Sequence, residues 1–122
     1  PDHQPHAPDA TLAPSSDSAP GISALETLLP LTLQLIEDKL ISLPDAVALL
    51  THRPADILGV EVGRLGVGAT ADVCIFDPDA EWTVTEKTIV SRGRNSPFLG
   101  HALRGRVTHT LVGGQLVYEA ER

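Results

Sequence analysis

Five residues at the start of the chain, Asp2-His3-Gln4-Pro5-His6, carry the densest set of chemically useful groups. A carboxylate and two imidazoles this close can serve a metal ion, act as a general base or bind an anionic substrate. His3 and His6 are three apart with Pro5 between them, so they are not a helical metal pair. No Cys-x-x-Cys, glycine-rich phosphate loop or His-Glu-x-x-His pattern accompanies them. An ordinary polar surface loop accounts for the same five residues equally well.

The elements that must position such a cluster follow it. Residues 1–20 hold five of the ten prolines and no Lys or Arg, and read as a loop whose stretch from Ala7 to Ala19 is expected to be mobile. From Gly21, the positions Leu25, Leu28, Leu29, Leu33, Ile36 and Leu40 recur at helical spacing, which predicts a helix with one buried face. Ser23 is its expected N-cap and Glu26 the capping-box partner, while Pro30 marks its first turns or kinks it. Ser42 is placed to cap a second helix with Pro44 and Asp45 in its first turn and Val47, Leu49 and Leu50 as its apolar surface. Thr51 to Leu58 reads as a third helix, stopped by Gly59.

Beyond Gly63–Gly68 the period drops to two. Asp72 to Phe76 is an apolar strand expected to close at Asp77-Pro78-Asp79, and Glu81 to Thr85 a short second one. Val107 to Val112, Gly113-Gly114 and Gln115 to Tyr118 give the clearest hairpin signal. Lys87 to Leu103 between them reads as a long loop, and no internal repeat is present.

Composition bounds the function. The 122 residues are 42% hydrophobic, enough for one modest domain or a piece of a larger one. A formal charge of −7 argues against a polyanionic partner. The single Cys74 offers no disulfide framework. No apolar run approaches the ~18 residues of a membrane span, and the opening does not resemble a signal peptide, so the expected setting is the cytoplasm. The chain opens on Pro1 without Met and is expected to be the C-terminal part of something longer.

Taken together, the motifs carry a resemblance. Asp2-His3-Gln4-Pro5-His6, followed across the loop by Ala19 to Leu31 with its Pro20-Gly21 and Glu26, is similar to the end of the barrel in dihydroorotases of the amidohydrolase superfamily. Gly63-Arg64-Leu65-Gly66-Val67-Gly68-Ala69-Thr70-Ala71-Asp72 resembles the return of such chains into a small β-domain. Asn95 to Gly100 resembles a Ser/Thr-Pro-Phe-x-Gly segment, and Val112 to Tyr118 the last hairpin.

The resemblance implies an α/β fold: the end of a (β/α)8 barrel with its substrate loop and closing helices over residues 1–60, then the C-terminal part of a small β-sandwich over residues 61–122. It implies that Asp2 sits at the C-terminal end of the last barrel strand, contacts zinc and passes a proton from the attacking water to the leaving amide nitrogen. It implies that His6 reaches the substrate carboxylate while the backbone of Pro20 and Gly21 contacts the dihydropyrimidine ring. One or two zinc ions are implied, with most ligands on earlier strands, so this piece alone is not competent. The implied reaction is reversible hydrolysis of dihydroorotate to carbamoyl aspartate.

Two alternatives stay open. Gln4 stands where the family's motif has Ala, and Ser23-Ala24 where it has a residue and then Gly. Such a Gln is associated with non-catalytic dihydroorotase-like subunits that partner aspartate transcarbamoylase. A related cyclic amidohydrolase, such as a hydantoinase or allantoinase, is the other. The partners implied are the rest of its own barrel, with aspartate transcarbamoylase or a second copy of the chain.

Other tempting residues take plainer readings. His52 is expected to cap a helix or face solvent, and His101 and His109 to be structural or exposed. Cys74 is expected to be a buried small hydrophobe, and Trp82 to pack in a core or interface. Arg92, Arg94, Arg104 and Arg106 read as a solvated basic stretch, and Asp9 and Asp17 as loop carboxylates. A sheet lacking its remaining strands would expose edges, so the isolated chain is not expected to fold stably.

Overall fold

The computed structural model describes residues 3–7, 14 and 20–121. Asp2, Asp9, Asp17 and most of the Ala7–Ala19 loop therefore lie outside the described residues. Three helices come first: α1 (Leu28–Glu37), α2 (Leu43–Leu50) and α3 (His52–Leu58). Three strands follow: β1 (Val73–Thr83), β2 (Ala102–Val112) and β3 (Gln115–Glu119). The strands form one antiparallel sheet in the order β1-β2-β3, and α1 packs on β2.

The first helix is shorter than its leucine spacing predicts. Thr27, not Ser23, is the N-cap, which leaves Leu25 in the preceding turn at 56% exposure. Pro30 falls in the first turn, where a missing amide costs nothing, so the helix needs no kink there. At the other end Lys39 adopts φ 58° and Leu40 N–H closes back on the Leu35 carbonyl, turning Leu40 out to 68% exposure. Of the predicted stripe only Leu33 is fully buried.

The next two helices begin and end on their local signals. Ser42 accepts from the Asp45 amide and donates to the Asp45 carboxylate at 2.7 Å, with Pro44 in the first turn of α2. The buried side chains of α2 are Ala46 and Ala48, while Val47 and Leu49 remain partly exposed. Gly59, at φ 69°, ends α3 with its amide on the Asp56 carbonyl and that of Val60 on the Ala55 carbonyl. His52 is half-buried at the first position of α3.

In the sheet, β1 does not close at Asp77-Pro78-Asp79 but runs on to Thr83, taking in the start of the second expected strand. The ladder to β2 shifts register between Asp77 and Glu81, and the Asp79 amide turns onto the Asp77 carboxylate at 2.9 Å. Pro78 is accommodated because β1 is an edge strand and the irregularity removes the need for its donor. Strand β2 begins at Ala102, inside the stretch expected to be loop. The hairpin forms as the sequence predicts, with Val112 opposite Gln115 and both turn glycines at positive φ. Asp72 accepts from the Gly113 amide at 2.8 Å and ties the start of β1 to that turn.

Cys74 corrects its sequence reading. It is exposed, on the edge strand β1. Partial burial still pushes its thiol pKa up. Trp82 is half-buried and donates its indole N–H to the Gly105 carbonyl at 2.8 Å. Of the arginines, Arg104 joins α1 to β1 through Glu37 and Glu81, and Arg106 donates to the Glu121 carbonyl. Buried apolar side chains among the described residues are Pro30, Leu33, Ala46, Ala48, Ala55, Val84 and Ile89.

Candidate functional site

Three stretches meet beside the start of α1: residues 3–6, 20–26 and 91–95. The first runs parallel to the second, with His3 bridged to Ile22 and the Gln4 amide donating to the Ile22 carbonyl at 2.7 Å. The third lies along the second, with the Ser23 amide donating to the Asn95 carbonyl at 3.2 Å and the Ser23 hydroxyl to the Gly93 carbonyl at 3.4 Å. Ser23 is buried at this seam and so is unavailable as the cap expected of it.

Histidine chemistry differs between the two rings. His3 Nδ1 accepts from the amides of Ala24 at 2.9 Å and Leu25 at 3.2 Å. It thereby serves donors of the turn that leads into α1, and its Nδ1 carries no proton. His6 Nε2 lies 2.6 Å from the Pro20 carbonyl oxygen. Because a carbonyl only accepts, Nε2 carries the proton and donates it, leaving Nδ1 as the ring's other functional atom.

Gly21 is required by close approach. Its φ is 97°, and a Cβ there would stand 2.5 Å from the Gln4 Cβ and 2.6 Å from the Gln4 Oε1. Gln4 therefore lies directly over the Gly21 backbone, the contact at which this chain departs from the small residue of the family motif. A Cβ on Gly93 would likewise collide with Pro5.

Glu26 joins the second and third stretches, accepting from the Ser91 amide at 2.6 Å. Burial raises its pKa, but the Ser91 hydrogen bonds and its own backbone amide outweigh that and hold the carboxyl below its ordinary value. This replaces the capping-box role: Glu26 reaches across the chain rather than back to Ser23. Arg94 closes the far side of the turn on the Ser91 carbonyl.

Of the residues singled out in the sequence, His6, Pro20 and Gly21 come together here, and Asp2 lies outside the described residues. His109 is elsewhere, with its Nε2 3.7 Å from Glu119 across the β2–β3 pair, and His101 sits edge-on to Phe98. Asn95 is the residue that sequence reasoning missed. Its side chain holds both other stretches, although the only sequence signal was membership of the Asn95–Gly100 segment. Among the described residues no group of three His, Cys, Asp or Glu side chains could hold a metal ion, and one nitrogen of each ring, His3 Nδ1 and His6 Nε2, is engaged by backbone.

The Amidohydrolase family profile matches residues 3–118, and the chain belongs to that family. A dihydroorotase-like protein of Pseudomonas aeruginosa is 49% identical over 117 residues, 96% of this chain and 27% of that protein. A dihydroorotase of a Geobacter species is 44% identical over 119 residues, covering 98% of this chain and 28% of that protein. The chain thus spans little more than a quarter of the length of these curated relatives. Among solved structures, the L-hydantoinase (dihydropyrimidinase) of Arthrobacter aurescens matches with a TM-score of 0.76 at 32% identity, over 85% of this chain and 24% of that one. The D-hydantoinase of a Thermus species matches with a TM-score of 0.84 over 97% of this chain and 27% of that one, a likeness of fold at 22% identity. The helices followed by a small antiparallel sheet are thus an amidohydrolase architecture. No helix among the described residues is long and apolar enough to cross a membrane.

Proposed function

We propose that this chain is the C-terminal portion of a dihydroorotase that hydrolyses the cyclic amide of dihydroorotate reversibly to carbamoyl aspartate in the cytoplasm. In this reading residues 1–60 complete a (β/α)8 barrel and residues 61–122 contribute to its small β-sandwich. The observation that carries it is the meeting of His6 with Pro20 and Gly21, residues 14 and 15 positions apart in sequence, at one seam. Relatives named dihydroorotase at 41–45% identity support the choice of substrate.

His6, Pro20 and Gly21 form the substrate subsite. The Pro20 carbonyl fixes the His6 ring, so that a protonated Nδ1 is aimed as a donor to the substrate carboxylate. Gly21 brings bare backbone to the ring. Asp2 is this chain's contribution to a zinc centre whose other ligands belong to the rest of the barrel; the described residues do not form one by themselves. Zinc would supply acidity to the attacking water. Asp2 would receive the water's proton and deliver it to the amide nitrogen as the ring C–N bond breaks.

A second reading has its own support. Two of the relatives, from Pseudomonas aeruginosa and Pseudomonas putida, are named dihydroorotase-like protein, at 49% and 48% identity. With Gln4 packed over Gly21, that reading makes the chain part of a non-catalytic subunit that partners aspartate transcarbamoylase. Dihydroorotate turnover by the full-length, zinc-supplemented protein, with Asp2→Ala as control, separates the two. Turnover lost in the variant supports the enzyme, and absent turnover without bound zinc supports the subunit.

A further inference from the structure

Asn95 uses every polar atom of its side chain on the two stretches that carry the proposed subsite. Its Oδ1 accepts from the His6 amide at 2.9 Å. Its Nδ2 donates to the Gln4 carbonyl at 2.7 Å and to the Gly21 carbonyl at 3.3 Å. Its own carbonyl accepts from the Ser23 amide at 3.2 Å. An amide is the one side-chain group of this size that offers an acceptor to a backbone N–H and two donors to backbone carbonyls at once. These bonds span 89 and 91 residues to the first stretch and 74 to the second, so no local turn explains them.

We propose that Asn95 is a positioning residue for substrate recognition: it sets His6 and Gly21 in register with each other. The inference rests on the dihydroorotase reading for the identity of the substrate, and on the geometry alone for the clamp. Without Asn95, the His6–Pro20 contact and the Gln4–Ile22 bond still join the first two stretches. What is lost is the fixed height of the His6 backbone over Gly21. The ring then reaches the substrate carboxylate from a shifted origin. Asn95 touches no reacting atom, so its effect falls on substrate binding more than on the chemical step.

Asn95→Asp is the sharpest probe. It keeps Oδ1 for the His6 amide but sets a carboxylate against the carbonyls of Gln4 and Gly21, where the amide donated. Asn95→Ser removes the clamp without adding charge. In the full-length protein both variants are expected to raise KM for dihydroorotate by about 10- to 100-fold, the scale of a misplaced binding group, with kcat little changed. In a His6→Ala background the same substitution should raise KM by a factor at least about threefold smaller, because coupled residues do not add. Histidine-labelled 15N spectra give an independent readout. The His6 ring of the parent should show a proton held on Nε2, and its signals should move in both variants.

If the parent turns nothing over, the dihydroorotase reading fails, and the His6 spectra still decide the clamp. Unmoved His6 signals in either folded variant overturn the proposal. So does a KM effect of undiminished size in the His6→Ala background. Loss of fold in both variants assigns Asn95 a purely structural role and likewise overturns it.

Discussion

Substituting Gly21 by Ala tests the close approach on which the subsite depends. The added Cβ carries two separable costs. The backbone sits at φ 97°, where an L side chain is strained, and the torsional cost is about 1–2 kcal/mol. The Cβ also lands 2.5 Å from the Gln4 Cβ and 2.6 Å from its Oε1, an overpacking cost of about 1–3 kcal/mol. Gly21→Ala should therefore destabilise the full-length protein by about 2–5 kcal/mol, measured by urea unfolding of this domain. Because one offending atom is the Gln4 Cβ itself, Gln4→Ala should restore little. Gln4→Gly removes it and should restore the steric part but not the torsional part, giving a coupling of about 1–3 kcal/mol in the double-mutant cycle. Gln4→Gly alone costs about 0.5–1 kcal/mol of backbone entropy, which the cycle subtracts. Gly21→Ala with parental stability, or full rescue by Gln4→Ala, would refute the reasoning.

Three further outcomes follow from the same geometry. Glu26 has its folded pKa held below the ordinary 4.5, so the unfolded chain binds that proton more tightly. Its stabilisation is present above that value and is lost as pH falls through the lower folded pKa; in Glu26→Gln the melting temperature should fall less steeply on acidification below pH 4.5. Trp82→Phe removes the donor to the Gly105 carbonyl and should cost about 1 kcal/mol in urea unfolding, with unchanged stability counting against the bond. The isolated 122 residues should melt without a cooperative transition, because three of the seven buried apolar side chains among the described residues are alanines; a sharp two-state calorimetric peak would contradict this.

What the sequence made legible was local. Ser42, Pro44 and Asp45 begin α2, and Gly59 ends α3, within a few residues of where they act. The Gly113-Gly114 turn is equally local, because the positive φ it needs is written in two adjacent residues. Errors arose where distant partners decided. Ser23 and Glu26 have the spacing of a capping box, yet the stretch around Ser91 and Gly93 competes for both and moves the cap to Thr27. Pro78 reads as a strand end, yet an edge position with a register shift tolerates it. Cys74 lies in an apolar run, but a run does not say which face of an edge strand is covered.

The candidate site divides the same way. The meeting of His6 with Pro20 and Gly21 followed from motifs that resemble a family, not from the spacing of the residues themselves. Asn95 was invisible, because a single amide 89 residues from its acceptor's partner leaves no periodic or local trace. His3 belongs to a cluster whose sequence left its use open, and the fold turns Nδ1 of its ring onto backbone amides at the head of α1.

The most direct test of the central claim is steady-state hydrolysis of dihydroorotate by the full-length, zinc-supplemented protein beside its Asp2→Ala variant. The account predicts turnover in the parent, abolished in the variant while the fold and the His6 signals are retained. A parent that binds no zinc and hydrolyses no dihydroorotate, or a variant as active as the parent, would contradict it.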